Sequence, residues 1–344
     1  MKPVRLFICL FFLSCSPALF AQPVDSVRRF IDSALQILQH ESVFAKGKNW
    51  KKIKTRTHTL AANATTYAAT APALHYAFNQ LGDKHGWIVI DGKDYRNESF
   101  KPDTNRISTD IKAAAAKGPA IYARKLNDSI TWISIPFFGG QTSAAMNRFA
   151  ARIQDSLCKY TNSSTSGLII DLRLNAGGNI FPMLVGLSEI LGDGIVGISK
   201  NAKGTVVNST VIINHGIRLN DTITIRLPRS CNDFSKVPVA VIIGPVTGSA
   251  GEGIAIAFKG RPHTILVGEA TAGYTSSNQG FLLPGTDNGI VTAGEFMQDR
   301  FGNSYPDAVY PAIKIKGQDH FFDPALDGKI NAAVRWLQKH RISH

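Results

Sequence analysis

Val239-Ala240-Val241-Ile242-Ile243-Gly244-Pro245-Val246-Thr247-Gly248-Ser249-Ala250-Gly251-Glu252 is the stretch that decides the fold. Its first five residues are apolar without alternation, as in a strand buried on both faces. A turn of small residues follows. Ile254, Ala255 and Phe258 then recur at helical spacing, so the segment reads as strand, turn, helix. Ser249 falls where the strand gives way to the helix. A hydroxyl there can stand beside the unpaired N–H groups of a helix N-terminus, as a nucleophilic serine requires. Serine is also a favoured N-cap residue, and the local stretch leaves both roles open.

The same alternation extends outward. Ile130 to Ile135, Leu168 to Leu172 and Ile265 to Val267 read as strands. Ser143 to Tyr160 reads as a helix with Met146, Phe149, Ile153 and Leu157 on one face, and Ile180 to Leu191 as another. A final helix is expected from Asp323 to Lys339. Apolar strands alternating with helices predict an α/β layer structure. The N-terminal part differs. Asp25 to His40 has helical periodicity, Trp50 and Ile53 continue it, and Ala61 to Leu81 carries Tyr67, Leu74 and Phe78 at helical spacing. Leu81-Gly82-Asp83-Lys84-His85-Gly86 reads as a turn, Trp87 to Ile90 as a short strand, and Gly92 to Asn105 as a loop.

Residues 1–21 read as a secretory signal: Lys2 and Arg5, an apolar run from Leu6 to Leu13, and a small residue, Ala21, before the expected cut. Residues 22–118 are expected to form a mainly helical subdomain and 119–344 the catalytic domain. Loss of Lys2 and Arg5 with the signal turns 38 basic and 25 acidic residues into 36 and 25, a net charge of +11. The basic residues are scattered. The densest cluster, Lys46 to Arg56, has only Trp50 among its charges and reads as a solvated helix face, which argues against nucleic acid as a partner. No other stretch is long and apolar enough to span a membrane. Cys158 and Cys231 remain after cleavage and are able to pair in an oxidising compartment, or Cys158 is simply buried on its helical stripe. No metal-ligand spacing is present.

A second strand-to-helix turn is Leu168-Ile169-Ile170-Asp171-Leu172-Arg173-Leu174-Asn175-Ala176-Gly177-Gly178-Asn179. Paired glycines let a backbone approach a bound group closely and aim N–H donors at it, a suitable arrangement for a developing oxyanion.

Asp171 to Gly178 resembles the D-L-R-x-N-x-G-G signature of the carboxyl-terminal processing and tricorn-core serine peptidases. Thr247 to Glu252 resembles their nucleophile segment, Val267-Gly268-Glu269-Ala270-Thr271-Ala272-Gly273 their G-E-x-T-x-G turn, and Leu81 to His85 the L-x-D-x-H element of the histidine-using branch. The resemblance implies a crotonase-like α/β spiral. It implies Ser249 as nucleophile, His85 as base, and the N–H groups of Gly178 and Ala250 as oxyanion hole, with Gly177 shaping the turn. No metal or organic cofactor is implied, and the substrate is a peptide or unfolded protein. The processing branch has a lysine where this chain has Tyr274; Lys259 is a remote substitute. The family's triad acid aligns with Tyr305, which makes Asp307 the candidate third member and Glu295 and Asp299 alternatives. Trp87 to Tyr122 is too short for the PDZ domain of many relatives. Two other readings stay open: an esterase of the order Ser249, Asp307, His320, and a non-catalytic ligand-binding protein on the same fold.

Overall fold

The computed structural model describes residues 25–219, 222–228 and 231–341; the signal reading of residues 1–21 lies outside them. One sheet has the strand order Ile313–Lys314, Thr264–Gly268, Val239–Ile243, Gly167–Asp171, Ile130–Ser134 and Tyr122–Lys125. The first five strands run parallel, and the last is antiparallel to its neighbour. Every residue of the three central strands is buried. The pleat sends alternate residues to opposite faces. Leu168, Ile170, Val239, Val241 and Ile243 pack with residues of helices Ser143–Tyr160, Ile180–Gly186 and Ala250–Lys259. Ile169, Ala240 and Ile242 pack instead with Ile330 and Leu337 of helix Gly328–Lys339 and with Ile111 of helix Thr109–Ala116. The predicted α/β layering is therefore present.

A second, antiparallel sheet of eight strands was not anticipated. Its pivot is Gly289–Gln298, which pairs with Trp87–Ile90, with Ser276–Leu282 and with Gly194–Asn201. Val206–Ile213, Gly216–Leu219 and Thr222–Arg226 extend it beyond Gly194–Asn201, while Lys93–Arg96 adds to Trp87–Ile90. The N-terminal helices Asp25–Glu41 and Ala71–Leu81 bury Phe30, Ile31, Leu35, Leu74 and Phe78 against Ile88, Ile90 and Ile290 of this sheet and against Leu283, just past strand Ser276–Leu282.

Several local expectations change. The presumed loop from Gly92 contains the edge strand Lys93–Arg96, whose charged side chains stay in solvent as is usual for an edge. Helix Trp50–Leu60 stops before the alanine-rich stretch; a 3₁₀ turn, Ala68–Thr70, precedes helix Ala71–Leu81, where Pro72 sets the start. The helix from Ile180 divides into Ile180–Gly186 and Ser188–Leu191. The last helix opens at Gly328 rather than Asp323, because Asp327 supplies its cap, accepting from Lys329 N and Ile330 N. The lysine-rich segment is a solvated helix face: Lys51, Lys52, Lys54 and Arg56 are exposed. Cys158 and Cys231 form a disulfide, with Cα atoms 5.6 Å apart. No helix among the described residues is long and apolar enough to cross a membrane.

Candidate active site

Two strand-to-helix turns meet at the C-terminal edge of the parallel sheet, the usual place for a site in such folds. They are stitched together: Thr247 Oγ1 donates to Leu172 O at 2.9 Å, and Gly248 N to Asn175 O at 3.0 Å. Ser249 sits at the crest with φ 50° and ψ −114°, a strained backbone for a residue with a side chain. Such strain persists only where surrounding structure enforces it. Here the enforcing group is Glu252, fully buried one turn into the helix. Its carboxylate accepts from Ser249 N at 2.9 Å, Gly273 N at 2.8 Å, Tyr274 N at 2.7 Å and the Thr271 hydroxyl. Burial raises its pKa, against the pull of these donors. Sequence reasoning assigned Glu252 no role. The available signal was its spacing: an acid three residues after a capping serine reaches back to the cap N–H.

The glycine pair faces this serine. Gly177 has φ 120°, and a Cβ there would lie 2.8 Å from Ser249 Cβ. Gly178 has φ 95°, and a Cβ there would strike Phe138 O. Both positions require glycine. Gly177 N donates to Asn175 Oδ1 at 3.0 Å, so it is already engaged. Gly178 N and Ala250 N have no acceptor among the described residues, which leaves both as free donors on the two facing turns.

His85 arrives from the other sheet. Asp83, wholly buried, accepts from the N–H groups of His85 and Gly86 through one oxygen, both at 2.9 Å. Its other oxygen accepts from Thr292 Oγ1 at 3.0 Å and Ala293 N at 2.8 Å, which pins the histidine turn to strand Gly289–Gln298. The ring of Tyr274 joins His85 to the Ser249 turn. Its centroid is 5.2 Å from the imidazole, and its edge lies against Gly248. Burial lowers the His85 pKa; the nearby Asp83 carboxylate opposes that shift without cancelling it.

Asp307 lines a cavity of about 120 Å³ together with His85, Ser276 and Phe296, but it makes no hydrogen bond to the ring. Nδ1 of His85 is held instead by Ser276 Oγ at 3.3 Å. Ser276 was missed, because its partner lies 191 residues away in sequence. The alternative acids are engaged elsewhere. Glu295 accepts from Asn208 and Gln279, and Asp299 from Phe301 N, Asn303 and Tyr305. His320 lies half exposed, 3.6 Å from Asp110, so the esterase arrangement is not assembled. Lys259 is at the far end of a ten-residue helix, its ammonium over the Tyr305 ring, about 15 Å along the axis from Ser249.

Arg173 of the D-L-R segment serves structure. It is buried and pairs with Asp171 at 2.6 Å and with Asp319 and Asp327 at 2.7 Å. Lys329, equally buried, pairs with Asp319 at 2.7 Å and Glu269 at 2.9 Å.

A serine on a strained strand-to-helix turn, facing a paired-glycine turn on an α/β core, defines a class of hydrolase. The family described as Peptidase family S41 matches residues 129–311, more than half of the chain, and the protein belongs to it. The resemblance read from the sequence motifs therefore holds, and the chain is a peptidase by family. The nisin-resistance protein of Lactococcus lactis subsp. lactis is 31% identical over 287 residues, covering 81% of this chain and 80% of that protein. A lipoprotein from Streptococcus agalactiae superposes with a TM-score of 0.67 at 22% identity, over 94% of this chain and 99% of its own. The photosystem II D1 C-terminal processing protease does so with 0.56 at 14% identity, over 85% and 94%. These two structures share the mixed α/β fold.

Proposed function

We propose that this chain is an exported serine peptidase acting through an acyl-enzyme. In this reading Nε2 of His85 takes the Ser249 proton as Oγ attacks the scissile carbonyl. The oxyanion is stabilised by the N–H groups of Gly178 and Ala250. The imidazolium then protonates the departing amine, and water repeats the sequence to release the acid. Asp307 acts across the small cavity, with Ser276 holding the ring. Residues 119–344 form the catalytic unit, wound as a crotonase-like spiral, and residues 22–118 form the helical layer that delivers His85. Peptides or unfolded proteins are the substrates.

The observation that carries this reading is the strained backbone of Ser249, clamped by Glu252 against the Gly177-Gly178 turn. A helix cap needs no such strain. Export is supported by the N-terminal pattern of residues 1–21, by the disulfide, and by the relative described as a lipoprotein. Ser249→Ala should abolish hydrolysis of a casein digest and labelling by a fluorophosphonate. Wild-type turnover by that variant would refute the assignment.

A further inference from the structure

A larger cavity, about 360 Å³, lies along the helix that follows Ser249, lined by its Gly253, Ile256 and Ala257. Its lining is close in sequence to the two free donors: Ile180 is two residues beyond Gly178, and Gly253 three beyond Ala250. Ser277, next to the Ser276 that holds His85, lines the opposite side. The residue whose carbonyl rests on Gly178 N and Ala250 N would have this cavity next to its side chain.

The lining has two characters. Ile180, Leu184, Val196, Ile256 and Met297 make it apolar along much of its length. Glu295 is the one ionisable residue of the lining. Its carboxylate is 5% exposed and bonded only to neutral amides, Asn208 Nδ2 at 3.1 Å and Gln279 Nε2 at 2.9 Å. It pairs with no cation among the described residues. Arg218, on strand Gly216–Leu219, stands opposite Val211 and so faces away from the Thr210 and Leu219 that line the cavity.

Two other residues of the lining hold unpaired acceptors that are closed off from solvent. Asn278 donates through Nδ2 to the His85 carbonyl at 3.0 Å, which fixes its amide and leaves Oδ1 buried without a partner. Gln298, also 5% exposed, has its Oε1 buried and unpaired. An uncompensated buried carboxylate is costly unless a ligand satisfies it. Glu295 asks for donors and a positive charge. A side chain with an apolar stem and a head rich in N–H groups is arginine, with lysine second.

We propose that this cavity selects a basic residue, arginine above lysine, on the acyl side of the bond to be cleaved, with Glu295 as its ion partner. This rests on Ser249 being the nucleophile. A burial-matched carboxylate is a specificity device: it rejects apolar side chains, which leave it unpaired, and repels acidic ones.

The test is cleavage of a mixed peptide library by the full mature chain, read by mass spectrometry, followed by kcat/KM on matched peptides with Arg or Met at the scissile position. Cleavage after Arg and Lys is expected to dominate. In Glu295→Gln the Arg-to-Met ratio of kcat/KM should fall roughly 10- to 100-fold, the scale of one charge-assisted hydrogen bond. Glu295→Asp should retain a basic preference. Cleavage mainly after apolar residues, with a ratio unmoved by Glu295→Gln, overturns the proposal and leaves the peptidase reading intact. A binding measurement separates the two further. Ser249→Ala should bind the Arg peptide at least 10-fold more tightly than the Met peptide, and the added Glu295→Gln change should erase the difference. Equal binding of both peptides overturns the proposal whether or not the wild type turns over.

Discussion

Replacing Arg173 with leucine tests the claim that the D-L-R arginine holds the fold and takes no part in the chemistry. The guanidinium is buried and touches three carboxylates at 2.6–2.7 Å. Burial works against its charge, but Asp171, Asp327 and Asp319 outweigh that and raise its pKa. The cluster sets four carboxylates, counting Glu269, against two cations. Leucine leaves the same four against Lys329 alone. Removing one partner of a buried pair costs about 3–5 kcal/mol, chiefly through the stranded charge. With two or more carboxylates stranded, Arg173→Leu should lose at least that much by urea denaturation at pH 7. The loss should shrink at pH 5. In the wild type Asp319 is disfavoured as an anion by burial but is held below its ordinary range by Lys329 and Arg173. A depressed carboxylate contributes stability above its unfolded pKa, about 3.9, so the wild type keeps this contribution at both pH values. In the variant the stranded carboxylates have raised pKa values, and protonation below those values relieves them. A loss under 1 kcal/mol at pH 7, or an equal loss at both pH values, would refute the reasoning.

Two further outcomes follow from the same structure. Because burial lowers the His85 pKa and the base must be neutral, the acidic limb of kcat/KM against pH should have its midpoint below the ordinary histidine value of about 6.5; a midpoint at or above 6.5 would remove His85 as the base. The disulfide joins residues 73 apart, so Cys158→Ser or reduction should cost about 4 kcal/mol and lower the melting temperature by roughly 6 °C; a calorimetric shift under 2 °C would show that the bridge constrains little.

The parallel sheet was legible because its strands are buried on both faces, so each leaves an unbroken apolar run such as Leu168–Leu172 or Val239–Ile243. The antiparallel sheet was not. Strands such as Val206–Ile213 are half exposed along most of their length and mix polar with apolar residues, without the clean alternation of a two-faced strand. Asp323-Pro324 imitates a helix start. The helix begins later because Asp327 both caps it and joins Arg173. Ser249, His85 and the glycine pair were legible because each lies within a local motif. Ser276, and the parting of Asp307 from the imidazole, depend on contacts between segments distant in sequence, which no local pattern encodes.

Strand Gly289–Gln298 has a consequence of its own. The imidazole hangs from its first half, through Trp87↔Val291 pairing and the Asp83 clamp, while Ser276 pairs opposite Phe296 near its far end. Ser249 belongs to a turn of the other sheet altogether. The separation of His85 from Ser249 is thus a property of strand register, set in steps of about 3.4 Å, with a one-residue slip turning every side chain to the wrong face. The Tyr274 ring packs on the imidazole and against Gly248, so this one aromatic side chain is where the two turns meet and where a change of side-chain size would shift one against the other.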